Sequence, residues 1–160
     1  MFLVSFFSIL IRQIIRFSAF FLIDLYLFLK RLYGTDKAIS MLLPIMDFIG
    51  RSRSKFMARL ARVDVQDMSS MGKIQDMEDK IFGVRGVWER KDKDISIKIE
   101  RFCPFAEKLK GNPEFCLVLV KRFEESTFKV LNESYSLEVE GKLLSEHKGE
   151  GCVFLHRLNK

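Results

Sequence analysis

Hydrophobic and polar positions follow a helical period in the first half of the chain and an alternating one at two places further on. Projected as a helix with Arg12 at zero, Ser5, Ser8, Gln13, Arg16, Asp24, Lys30 and Arg31 fall within one wedge of about 160°. Phe7, Phe17, Phe21 and Phe28 lie on the opposite arc, together with Ser18, while Phe2, Phe6, Phe20 and Tyr26 project into the wedge. The pattern predicts a lopsided amphipathic helix from about residue 4 to about residue 32, ended by Gly34. Thr35 can cap a second helix that runs to about Ile49, with Pro44 inside it and Gly50 as its stop. A third carries Arg51, Lys55, Arg59 and Arg62 on one side and Phe56, Leu60 and Val63 on the other. A fourth, polar and Met-rich, is expected from Val65 to Phe82.

The period changes at Gly83. Val84, Gly86 and Trp88 alternate as one strand face; after the turn Lys91-Asp92-Lys93-Asp94, Ile95, Ile97 and Ile99 alternate against Ser96, Lys98 and Glu100. That is a half-buried β-hairpin with the isoleucines inward. Cys103-Pro104 opens a short helix to Lys110. Gly111-Asn112-Pro113-Glu114 is a strong helix start, followed by an apolar face of Cys116, Leu119, Val120, Phe123, Thr127, Val130 and Leu131. Two more strands, around Leu137–Val139 and from Cys152 through Leu158, close the chain. The implied class is α+β: N-terminal helices followed by an antiparallel sheet of about four strands, in two hairpins, with helices packed on one face. Residues 1–33 form the amphipathic hydrophobic front end, and 34–160 a single α+β domain.

Composition adds two constraints. With 160 residues, 48% hydrophobic and 30% charged, the chain can bury a core and is not disordered as a whole. The net charge of +6 is unevenly spread. Residues 1–63 carry 10 basic and 3 acidic side chains and 9 of the 16 Phe, whereas the remainder is nearly neutral. A basic, Phe-rich segment fits an anionic membrane surface. Nucleic acid is not expected as a partner, since no recognition motif accompanies the charge. Phe2–Ile11 lacks a basic segment before it and a small-residue cleavage site after it, so a secretory signal is not expected. Arg12, Gln13, Arg16 and Asp24 interrupt the ~20 apolar residues that a membrane span needs. Three places stay open for the helix: against the core or a second copy of the chain in a homodimer, in a membrane interface, or across the bilayer.

Three cysteines, an odd number without a C-x-x-C, point to free thiols and a reducing compartment, hence a cytoplasmic protein, peripheral to or anchored in the inner face of the membrane. Cys103 lies where a strand ends, Cys116 in the first turn of the strongest helix, and Cys152 at the start of the last strand, after a turn holding Glu146, His147 and Glu150. Packing of that helix on the sheet would bring the thiols to one end of a shared pocket. A helix N-terminus stabilises a thiolate, which makes Cys116 the best nucleophile or soft ligand, with His147 or Glu146 as general acid or base. Three structural cysteines behaving as small hydrophobes are the alternative. His156, beside Arg157 in a strand, reads as a surface residue. No nucleotide-binding loop, zinc-protease or serine-hydrolase motif occurs.

The stretch Cys103-Pro104-Phe105, then Gly111-Asn112-Pro113-Glu114-Phe115-Cys116, then Gly149-Glu150-Gly151-Cys152-Val153-Phe154 resembles the L-2-amino-thiazoline-4-carboxylic acid hydrolase family over residues 34–158. The resemblance implies a pocket lined by Cys103, Cys116 and Cys152 that hydrolyses or binds a small molecule, opening a thiazoline ring in the enzymatic version. The chain is also similar to 4-vinyl reductase domains, which implies a non-catalytic sensor of a small molecule or metal, with Cys116 and Cys152 at zinc-ligand positions.

Overall fold

The computed structural model describes residues 2–140, 143–146 and 151–159. The chain is α+β: three helices, α1 (Phe2–Tyr33), α2 (Thr35–Ala61) and α3 (Met68–Phe82), precede strands β1 (Arg85–Lys91) and β2 (Ile95–Phe102). A π-helical segment (Phe115–Val120) then runs directly into α4 (Lys121–Lys129), and β3 (Tyr135–Glu140) and β4 (Cys152–Leu158) follow. The sheet order is β1-β2-β4-β3, every neighbouring pair antiparallel. The two expected hairpins are therefore joined by β4 lying alongside β2, with Glu100 opposite Cys152.

Element boundaries follow local chemistry. Gly34, at φ 83°, separates α1 from α2. The stop expected at Gly50 does not occur, and the second and third anticipated helices are one. A Cβ at Gly50 would lie 2.4 Å from the Phe123 carbonyl oxygen, so this glycine sits inside a helix to let α4 approach. Pro44 is tolerated at an exposed position of the same helix. α2 ends in a Schellman motif: Arg62, at φ 51°, donates to the Arg59 carbonyl and Val63 donates to the Ala58 carbonyl. Asp67 caps α3 by accepting from the backbone N–H of Ser69 and Ser70. The short helix expected over Cys103–Lys110 is a series of turns.

The π-helical segment explains a second displacement. The face expected from Cys116 to Leu131 assumed one period throughout. A π-turn inserts extra backbone and rotates everything after it. Phe115 and Leu119 are buried before the end of that segment; after it Glu124, Thr127 and Phe128 are buried, and Val130 is exposed.

Two core clusters result. Met57, Met71, Ile74, Phe128, Leu137 and Phe154 belong to one, between helices and sheet. Ile23, Tyr26, Leu42, Met46, Phe105 and Leu119 belong to the other, between α1, α2 and the segment after β2. Cys116 packs against both.

On β2 the expected sense is reversed, and on α1 the polar wedge, not the Phe-rich arc, faces the core. On α1 the buried residues Ile23 and Tyr26 fall within the polar wedge and Leu29 beside it, while Ile14, Phe17, Phe21, Phe28 and Leu32 of the opposite arc are all more than half exposed. The inward polar groups have tertiary partners: Arg16 Nε donates to the Ile81 carbonyl at 2.8 Å, Lys30 Nζ to Asn112 Oδ1 at 2.7 Å, and Tyr26 to the Glu114 carboxylate. On β2 it is Ser96, Lys98 and Glu100 that are buried, and the three isoleucines are only half-buried on the outer face. Lys98 Nζ reaches Asp79 at 2.7 Å and Asp76 at 3.2 Å on α3, under the Trp88 ring. Buried polar groups require such partners, and α3 supplies them.

Candidate ligand cavity

A cavity of about 480 Å³ lies between α1, α2, α3, the π-helical segment and the inner face of the sheet. Its volume is in the range of about 300–1,000 Å³ typical of small-molecule sites. The walls are mostly apolar: Ala19, Leu22 and Ile23 from α1, Met46 from α2, Phe82 from α3, and Phe105, Phe115 and Val120 from the segment after β2. Ile49 and Phe56 line it too and are 39% and 65% exposed, so the cavity reaches the surface along α2.

All three thiols line this cavity. Cys103 arrives just past the end of β2, Cys152 begins the neighbouring β4, and Cys116 projects from the π-helical segment. None forms a disulfide. Burial works against the expected activation of Cys116 by a helix N-terminus. Burial pushes its thiol well up, and the neighbouring Cys152 and Cys103 add to the rise. Burial likewise raises Cys103 to about 12 and Cys152 to about 11. The loss of water outweighs the backbone N–H groups of Phe105 and Ala106 that favour the Cys103 thiolate.

Of the proposed acid/base partners, Glu146 is among the described residues. Glu146 Oε2 accepts from the Leu143 backbone N–H at 2.6 Å, closing its own turn, and is not among the cavity-lining residues. His147 lies outside the described residues, as do Gly149 and Glu150. His156 is not the surface residue expected: it is fully buried, its Nδ1 is 2.8 Å from the Tyr135 hydroxyl, and burial lowers it to about 3. The cause is the reversed face, since Ser96 of β2 pairs with His156 of β4 and both point inward.

Sequence reasoning missed the polar end of the cavity. Arg53, Gln75, Glu78, Asp79, Glu100 and Glu124 line it. The Arg53 guanidinium pairs with Glu78, lies 3.6 Å from Glu124 and donates to Thr127 Oγ1 from Nη2 at 2.9 Å. Burial and the neighbouring Glu78 carboxyl push Glu124 up. Burial pushes Glu100 to about 8, with Asp79 reinforcing it. One signal was present: the alternation Ser96, Lys98, Glu100 is as regular as that of the isoleucines.

Among the described residues no group of three or more His, Cys, Asp or Glu side chains is arranged to hold a metal ion. Among the same residues no helix is long and apolar enough to cross a membrane.

No protein-family model matches the chain, and no curated protein matches it. A solved structure is similar in fold: trafficking protein particle complex subunit 3 from Naegleria fowleri, covalently bound to palmitic acid, aligns with a TM-score of 0.65 over 93% of this chain and 95% of that chain, at 10% sequence identity.

Proposed function

We propose that this protein is a non-catalytic binding module that holds the alkyl chain of an amphiphile in its cavity while resting on the anionic, cytoplasmic face of a membrane. The observation that carries this reading is an apolar cavity of about 480 Å³ that reaches the surface at exposed Ile49 and Phe56. The structural neighbour is bound to palmitic acid, a long-chain ligand, which supports an alkyl chain over a compact polar substrate. A chain held by burial gains free energy in proportion to the apolar area that leaves water. Protonated thiols serve that purpose as small apolar groups, and the reading asks for no bond to sulfur. Hydrolysis of a thiazoline ring has weaker support, because it needs a thiolate or a base beside the thiols, and burial works against the first.

The membrane part rests on charge and exposure together. α1 exposes Phe17, Phe21 and Phe28, α2 exposes Phe48 and Phe56, and the exposed basic residues Arg31, Lys37, Lys55 and Arg59 lie on the same two helices.

The test is calorimetric titration of the full chain with dodecanol. One site per chain is expected. Ala19→Trp, which fills the cavity from α1, is expected to abolish binding while the thermal transition persists. Absence of binding by the unsubstituted protein would overturn the reading.

A further inference from the structure

We infer that the polar end of the bound amphiphile is a cationic amine, seated between Glu100, Asp79 and the side-chain carbonyl of Gln75. This deepens the reading above and rests on it.

Charge around the polar end does not balance within the protein. Four carboxyl groups line the cavity, those of Glu78, Asp79, Glu100 and Glu124, against Arg53 as the basic side chain among the described lining residues. Arg53 is committed to Glu78, Glu124 and Thr127. Lys98, behind the wall, is committed to Asp79 and Asp76. Among the described residues Glu100 has no ion-pair partner, although it is only 9% exposed. A buried carboxylate without a cation is costly, and burial drives the group toward its neutral form.

A second, independent observation points the same way. Gln75 is 3% exposed and lines the cavity, and its Oε1 has no hydrogen-bond partner among the described residues. Native proteins rarely leave such an acceptor unmet. The Gln75 side chain hydrogen-bonds Glu100, which leaves the Gln75 carbonyl without a hydrogen-bond partner and the Glu100 carboxyl without a cation.

Ligand heads differ in how they meet this set. A primary ammonium brings three donors and a positive charge, and no acceptor. It can satisfy Gln75 Oε1 and convert Glu100 into a paired carboxylate. A carboxylate head brings only acceptors to acceptors, and negative charge to an acidic wall. An alcohol has one donor and no charge. Sites built around buried hydrogen-bonding groups discriminate strongly against ligands that leave those groups unpaired. The apolar walls around Cys103 and Phe105, adjoining Glu100, leave the alkyl chain free to lie along the rest of the cavity.

The experiment compares dodecylamine, dodecanol and dodecanoate by calorimetric titration into the full chain at one pH and salt concentration. The amine is expected to bind at least about tenfold more tightly than the alcohol, and the carboxylate most weakly. Glu100→Gln is expected to remove most of the amine's advantage over the alcohol. The unsubstituted protein alone already decides the matter should the variant fail to fold. Alcohol binding with no preference for the amine, or a preference for dodecanoate, overturns the inference and leaves the alkyl-chain reading standing. Binding of none of the three overturns both.

Discussion

Glu100 is the residue at which burial, charge and folding meet. Its carboxyl is raised by burial to about 8 in the folded protein, against 4.5 as the ordinary value. Between those values the folded state keeps a proton that the unfolded state has released, so stability is fully present below the lower value and is lost as pH rises through the upper one. The shift corresponds to about 5 kcal/mol at most across that window. Urea denaturation at pH 5 and pH 8 is the check. The unsubstituted protein is expected to weaken toward pH 8, and Glu100→Gln to weaken less, being nearly neutral at pH 5 and stabilising at pH 8. Glu124 shifts in the same direction and Glu100 adds to that shift, so the difference between the two proteins reports Glu100 together with its effect on Glu124.

At the scale of elements, the interior of α2 depends on a hydrogen atom. A methyl group at Gly50 would meet backbone, the Phe123 carbonyl oxygen at 2.4 Å and its carbon at 3.3 Å, and backbone cannot swing aside as a flexible side chain can. Gly50→Ala gains helix propensity but forces α2 and α4 apart, and overpacking of this kind costs about 1–3 kcal/mol. A fall in the denaturation midpoint is expected, with the far-ultraviolet helical signal of the folded state unchanged. The same glycine shows how much of the fold is legible in the chain. Strand existence, the β1–β2 turn and the helix start after Asn112 are written in local patterns, because each depends on neighbours in sequence. Gly50 and the π-helical segment are not, because their reasons lie across the molecule. The meeting of three thiols at one cavity follows from helix-on-sheet packing and was within reach. The acidic end was not, since a buried Glu100 has meaning only beside α3.

For the whole molecule, the recurring feature is that apolar surface faces out where a solitary domain would turn it in. α1 and α2 show it, and so does the outer sheet face with Ile97, Ile99, Val153 and Leu155 half-buried and Val87 exposed. Because α1 also supplies Ile23, Tyr26 and Leu29 to the core, it is not a detachable anchor, and removal of residues 1–30 would open the cavity wall. Substitution separates the two roles where truncation cannot. Phe17, Phe21 and Phe28 all changed to Ser should keep the thermal transition of the fold. Flotation with vesicles containing phosphatidylserine should fall several-fold, and raised salt should weaken the binding of the unsubstituted protein. Undiminished flotation would locate membrane contact elsewhere.

The order of strands has a consequence for how the chain is made. β4 is the last strand to leave the ribosome, yet it sits between β2 and β3 and supplies one partner to each. Without it, β2 and β3 each lack a partner along one edge. The cavity also lacks Cys152 and Phe154 from its wall. A chain that has not yet reached β4 therefore has an unfinished sheet and an incomplete cavity wall, and a single seven-residue segment completes both.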